Sequence, residues 1–383
     1  LNRRGEGVTA DGRAVPGALP DDAAALAPIC RYFGVCGGCV AQHMPAPLYA
    51  AWKREAVVAA LAAAGVKAEV GALVDAHGAG RRRATFHARV RADGGVEVGF
   101  MRARAHDIVE IDACPLFAPE LANAPGIARA LAEAVRTLNK PLDIQLTATL
   151  AGLDVDLRGC GPLGAGETRR LLGVAERLDL ARLSNHGVAL IERRAPLVAF
   201  GPARVVVPAG GFLQATATGE ETLARLAAEA LKGSARVADL FCGAGAFALR
   251  LAGDHSVFAA DNDAAAIAAL RRATTGGIEA TARDLVRQPL SAAELARFDA
   301  VLFDPPRAGA SAQAREIAAS GVMRVVAVSC NAETFARDAR ILVDGGYTCE
   351  SVTPIDQFRY SAHVEILAAF RRARAKRRRS ILG

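Results

Sequence analysis

The chain has 383 residues, 52% of them apolar and 23% charged, and 47 Lys and Arg against 40 Asp and Glu leave a net charge of +7. A single core seldom grows past about 250–300 residues, so two domains are expected, and a basic balance suits a polyanionic partner without proving one. No stretch approaches the roughly 18 consecutive apolar residues of a membrane span, and Leu1-Asn-Arg-Arg-Gly-Glu-Gly7 lacks the apolar segment of a secretory signal.

The first residue is Leu where an initiator Met would stand, so the chain reads as beginning inside a longer protein. Residues 1–28 are rich in Gly, Pro and Ala, carry turns at Val15-Pro-Gly-Ala-Leu-Pro-Asp21, and are too short for a core of their own. Cys30, Cys36 and Cys39 form a tight cysteine–glycine loop. A helix is expected from about Pro47 to Ala64, with Leu48, Trp52, Ala56, Ala59 and Ala63 at helical spacing. Thr85–Arg91 and Val96–Phe100, joined by Ala92-Asp-Gly-Gly95, read as a hairpin. A helix near Ile127–Leu138 and strands at Ile144–Leu150 and Leu153–Leu157 complete a mostly antiparallel α+β unit over 29–210.

From about residue 211 the pattern changes to β–α alternation. Val237–Phe241, Val257–Ala260, Ala300–Phe303 and Val325–Val328 are apolar runs of buried-strand type, with helical patterns at 246–252, 263–273 and 332–343. Tyr347–Val352 and His363–Phe370 are expected to close the far edge. The fold class is therefore α/β: a doubly wound, mainly parallel sheet over 211–370 joined to the N-terminal α+β unit. Residues 371–383 are a basic tail.

Several motifs fall at the carboxyl ends of these strands, where ligands bind in open α/β sheets. Asp239-Leu-Phe241-Cys-Gly243-Ala-Gly245 has glycines where backbone must pass close to a nucleotide; Asp261 ends the next strand and suits ribose hydroxyls; Asp284 lies at the height of an adenine ring. Together they point to an adenosine cofactor. Asp304-Pro-Pro-Arg307 holds a carboxylate at a stiff strand exit. An aromatic in place of Arg307 would point to methylation of a base amino group.

Cys330 ends a strand beside Asn331 and ahead of a helix, a position expected to lower its pKa and favour the thiolate. Cys160, Cys242 and Cys349 read as ordinary buried cysteines. Glu365 interrupts an apolar strand, where burial would raise its pKa and suit it to accept a proton. Eight cysteines in a cytoplasmic-type chain favour metal or catalytic roles over disulfides. Cys30, Cys36, Cys39 and Cys114 supply four thiolates, a set that spacing alone leaves open between zinc and a [4Fe–4S] cluster.

On these residues the chain, from about Pro16 to Phe370, resembles the RNA 5-methyluridine methyltransferases, which use S-adenosylmethionine on rRNA or tRNA uridines. The resemblance implies a class I methyltransferase fold of Rossmann type and a [4Fe–4S] cluster on Cys30, Cys36, Cys39 and Cys114, followed by Gln42-His43. It implies Cys330 as nucleophile and Glu365 as proton acceptor. Phe212-Leu-Gln214 is similar to a motif whose glutamine lies by cofactor and base. Gln214, Phe241, Gly243, Gly245, Asp261, Asp284 and Asp304 would then face the cofactor, and Gln214, Asp304, Arg307 and Asn331 the base. Ala332 stands where proline usually follows, and Thr216 where asparagine often does; neither removes a reacting group. Residues 1–28 look like a shortened OB-type (TRAM) leader.

The implied partner is RNA, 23S rRNA ahead of tRNA, with no membrane and no protein partner, in the cytoplasm. Three rivals remain. RNA 5-methylcytidine transfer generally uses a Pro-Cys motif, absent here; a non-catalytic RNA-binding factor would not need Cys330 and Glu365; an iron–sulfur redox protein would carry a flavin or nicotinamide fingerprint.

Overall fold

The computed structural model describes residues 7–8, 14–15 and 24–372. The OB-type leader and the basic tail therefore lie almost wholly outside the described residues. What is described of the leader is Gly7–Val8 paired antiparallel with Ala14–Val15.

Two large sheets organise the rest. The C-terminal one has eight strands in the order Ile278–Ala282, Ser256–Asp261, Arg236–Leu240, Ala300–Phe303, Arg324–Ser329, Glu365–Arg372, Tyr347–Asp356, Val74–Asp75. Its first five strands are mutually parallel. Ala300–Phe303 is buried throughout and Arg236–Leu240 beyond its first residue, as strands covered on both faces must be. The chain winds outward from Arg236–Leu240, then returns to lay Ala300–Phe303 on that strand's other side. Order reverses there, and such a reversal opens a crevice at the carboxyl ends of the two strands.

The far edge differs from expectation. Glu365–Arg372 lies inside the sheet, antiparallel to Arg324–Ser329 and to Tyr347–Asp356, and the two-residue Val74–Asp75 completes the edge. Helix Ala46–Ala63 also joins this half, packing Val57, Ala60 and Leu61 against Phe335, Leu342 and Val352. Its buried face is Tyr49, Trp52, Lys53, Val57, Ala60 and Leu61, so of the positions expected at helical spacing only Trp52 is buried. The cause is an alanine-rich sequence with little contrast between faces, together with a lysine that is buried because it is paired.

The N-terminal sheet has seven strands in the order Val188–Glu192, Arg182–Asn185, Gly152–Arg158, Leu142–Thr149, Arg83–Val90, Val96–Met101, Ile108–Glu110. All neighbours are antiparallel except Gly152–Arg158 with Arg182–Asn185. Burial alternates along most of Arg83–Val90, the mark of a sheet with one face packed. That face meets helices Ala124–Ala134 and Ala165–Arg177 in a separate core. No helix among the described residues is long and apolar enough to cross a membrane.

Candidate active site

A cavity of about 640 Å³ opens at the strand reversal, a size suited to a nucleoside-sized ligand. Its lining brings together Gln214, Phe241, Gly243, Asp261, Asp284, Asp304, Arg307, Cys330 and Glu365, which are spread over some 150 residues of sequence. Gly245 and Asn331 stand behind the lining. A Cβ on Gly245 would meet Leu270 Cδ1 at 2.5 Å, so this glycine permits close packing of helix Ala264–Ala273. Asn331 caps helix Ala332–Asp344 by accepting from Glu333 N at 3.0 Å, while its Nδ2 donates to Arg307 O at 3.3 Å.

One wall is the turn after Arg236–Leu240. Phe241 has φ +62° and Gly243 φ +53°, and a Cβ on Gly243 would meet nothing within 4 Å, so the turn leaves open space on the ligand side. Asp261 holds it: Oδ2 accepts from Gly243 N at 2.9 Å and Oδ1 from Asp263 N at 2.8 Å. Asp284 Oδ1 accepts from the backbone of Val286 and Arg287. These anchored carboxylates at adjacent strand ends, with an open glycine turn on the next strand, fit the ribose and base of an adenosine cofactor.

The opposite wall is a continuous polar chain. Gln357 Nε2 donates to Glu365 Oε2 and to Gln214 Oε1, each at 2.7 Å, and Gln214 Nε2 donates to Asp304 Oδ2 at 3.0 Å. Glu365 is 2% exposed in mid-sheet. Burial, then the nearby Asp304, raises its pKa well above the usual carboxylate range. Asp304 is pushed up to about 7 by burial and Asp261, against the Gln214 hydrogen bond. Two adjacent carboxyls of this kind titrate as a pair.

Cys330 differs from its sequence expectation. Its thiol is raised to about 11, first by burial and then by Glu365 and Asp304, with Arg307 opposing. The start of helix Ala332–Asp344 is outweighed first by burial of the sulfur and then by the negative charge of Glu365 and Asp304. In the ligand-free protein Cys330 therefore keeps its proton.

The segment between Tyr347–Asp356 and Glu365–Arg372 is pinned from below. Lys53 Nζ donates to Asp356 Oδ1 at 2.9 Å, to Phe358 O at 3.1 Å and to His363 O. Tyr49 donates to Asp356 Oδ2 at 2.6 Å and accepts from Tyr360 N at 2.8 Å. Arg307 Nη2 donates to His363 Nδ1 at 3.3 Å. Sequence reading passed over Gln357 and Lys53, and also Arg81 and Arg83, which line the cavity. At the same wall Phe212 is 66% exposed, with the Arg83 guanidinium 5.3 Å from its ring centre.

Cys30, Cys36, Cys39 and Cys114 are all free and half-buried. They are close enough that Cys39, raised to about 12 mainly by burial, is pushed further by each of the other three. Gly38 N donates to Cys36 Sγ at 3.5 Å, and burial lowers the pKa of the Arg81 guanidinium, an effect that Cys114 and Cys39 oppose. Among the described residues no three His, Cys, Asp or Glu side chains form a ready site for a single metal ion. Four neighbouring thiols, an N–H aimed at sulfur and an adjacent cation are the donor set a thiolate-bound cluster uses.

Comparison with known proteins bears on this geometry. A family model described as tRNA (Uracil-5-)-methyltransferase matches residues 260–372. An uncharacterized RNA methyltransferase of Brucella suis is 46% identical over 91% of this chain and 85% of its own. The 23S rRNA (uracil(1939)-C(5))-methyltransferase RlmD of Pseudomonas fluorescens is 36% identical over 89% of this chain and 79% of its own. Among solved structures, the Pyrococcus abyssi tRNA (uracil-54, C5)-methyltransferase in complex with S-adenosyl-L-homocysteine shares the fold. Its TM-score is 0.71 at 22% identity, over 97% of this chain and 98% of that one.

Proposed function

The chain belongs to the RNA uracil-5-methyltransferases and is an enzyme of that kind, and we propose that it methylates C5 of a uridine in 23S rRNA with S-adenosylmethionine. The observation that carries this reading is the meeting of Cys330, Glu365, Asp304 and Gln214 in one cavity with the Gly243 turn. The identity to RlmD favours rRNA; a tRNA uridine is the second reading, favoured by the description of the matching family model. An rRNA substrate makes this a cytoplasmic enzyme.

S-adenosylmethionine would be held by Asp261, Asp284 and the Phe241–Gly245 turn and would supply an electrophilic methyl group. Uracil C5 is too weak a nucleophile to take it unaided. Cys330 gives up its proton to solvent as substrate enters, with Arg307 favouring the thiolate, and its sulfur bonds to C6. Density moves to C5 and O4, and C5 would take the methyl group as its bond to the sulfonium sulfur breaks, the cofactor leaving as a neutral thioether. Glu365 then removes the C5 proton, and elimination breaks the S–C6 bond to restore the ring. Gln214 and Asp304 hold the base edge, with Asn331 keeping Arg307 in place. The uridine must leave its stack to reach Cys330.

In this reading residues 29–210 form the RNA-gripping unit, apart from helix Ala46–Ala63 and strand Val74–Asp75, which pack with the transferase unit of residues 211–370. Cys30, Cys36, Cys39 and Cys114 would hold a [4Fe–4S] cluster that ties the 30–39 loop to Cys114 and supplies no electrons to the reaction. Mapping 5-methyluridine in total RNA from cells with and without this gene tests the reading. Loss of one 23S rRNA site is expected; loss from tRNA would select the second reading, and no loss would reject both.

A further inference from the structure

Gln357 touches nothing in the cavity: its side chain is completely buried, and the residue is absent from the cavity lining. A Cβ on Gly219 would lie 2.8 Å from its Cβ and its Oε1, so the first turn of helix Ala217–Leu231 packs directly onto it. A buried amide so enclosed is tolerated because every hydrogen-bonding site on it is used.

Those bonds have a direction that one backbone N–H of fixed character decides. Ala215 N, which can only donate, gives to Gln357 Oε1 at 3.0 Å. The amide therefore presents Nε2 on its other side, and its two hydrogens go to Glu365 Oε2 and Gln214 Oε1. With Oε1 of Gln214 engaged, that amide turns Nε2 toward Asp304 Oδ2. One Nε2 hydrogen of Gln214 is left, and it can only donate. Once Asp304 is ionised, as it is above about pH 7, its remaining oxygen can only accept.

A donor beside an acceptor complements uracil, whose O4 accepts and whose N3–H donates. Cytosine carries the opposite pattern at both places, an amino group and an unprotonated ring nitrogen. We propose that Gln357 is a positioning residue that sets the polarity of the Gln214–Asp304 pair and thereby the choice of uridine over cytidine. The inference rests on the uridine reading above and goes beyond it, because the preference originates in a side chain that never meets the base.

The test uses the full-length protein and the RNA fragment whose uridine it methylates, with the same fragment carrying cytidine at that position as competitor. Gln357→Met removes the bonds, and Gln357→Glu, of equal size, accepts where Gln357 donates and draws the Gln214 amide around. Wild-type protein should turn over the uridine fragment and be inhibited poorly by the cytidine fragment. Gln357→Met should retain its melting transition and S-adenosylmethionine affinity, lose about tenfold in kcat, and narrow the uridine-to-cytidine competition ratio by about tenfold. Gln357→Glu should narrow it further. If turnover falls while that ratio stays at the wild-type value in both variants, Gln357 is merely structural and the proposal is overturned. Wild-type protein inert on uridine RNA would instead overturn the underlying reading.

Discussion

Lys53 Nζ and Asp356 Oδ1 lie 2.9 Å apart, both almost wholly buried, joining the N-terminal helix to a strand end 303 residues later. The pair sits directly beneath the segment that leads from Gln357 to Glu365, and the same ammonium donates to two carbonyls of that segment. A buried pair of this kind need not add net stability, but breaking it leaves a charge without a partner.

Lys53→Met is therefore expected to lower unfolding free energy by about 3–5 kcal/mol, read from urea denaturation. Turnover should fall as well, because Glu365 loses the floor under its approach. A loss below about 1 kcal/mol would show that the segment is held by its other contacts.

For the nucleophile, Cys330→Ser should abolish methyl transfer to RNA and leave S-adenosylmethionine binding, measured by calorimetry, unchanged. Full turnover by this variant would remove Cys330 from the reaction.

Asp304 carries a stability cost with a definite pH dependence. Its native pKa of about 7 lies above the ordinary value of 3.8, chiefly from burial. Below about pH 4 both folded and unfolded chains hold the proton and no penalty exists. As pH rises toward about 7 the unfolded chain ionises first and the native state loses ground; above that the penalty is constant. Asp304→Asn should therefore stabilise the protein by roughly 2–4 kcal/mol near pH 8, with the gain vanishing near pH 4, while turnover collapses. A variant equally stabilised at both pH values would contradict the burial argument.

The four-thiol site yields a further expectation. Anaerobically purified protein should be brown and contain iron and sulfide in equal amounts, and Cys39→Ser should lose both together with folding yield. Colourless protein with one zinc per chain would replace the cluster with a structural zinc site.

Much of the site is legible in the sequence because its reacting groups announce themselves locally. Asp304 and Cys330 follow apolar strands, and Glu365 opens one rather than interrupting it, so each stands out against its neighbours. Gln357 and Lys53 do not, since their meaning lies in partners 143 and 303 residues away. The raised pKa of Cys330 is not legible for the same reason: proximity to a helix start is visible along the chain, whereas burial of the sulfur and the charges of Glu365 and Asp304 arise only through the fold. Helix Ala46–Ala63 was found at nearly its true bounds, yet its alanine-rich surface hid both which face is buried and which sheet it covers.

Replacing Glu365 with Gln isolates the covalent step most directly. With no base to take the C5 proton, methylated uridine should remain bonded to sulfur. Denaturing electrophoresis would then show an RNA–protein adduct, and mass spectrometry of its tryptic digest would place a methylated nucleotide on the peptide containing Cys330. Release of 5-methyluridine at the wild-type rate with no adduct would show that neither this thiol nor this carboxylate does the chemistry assigned to it.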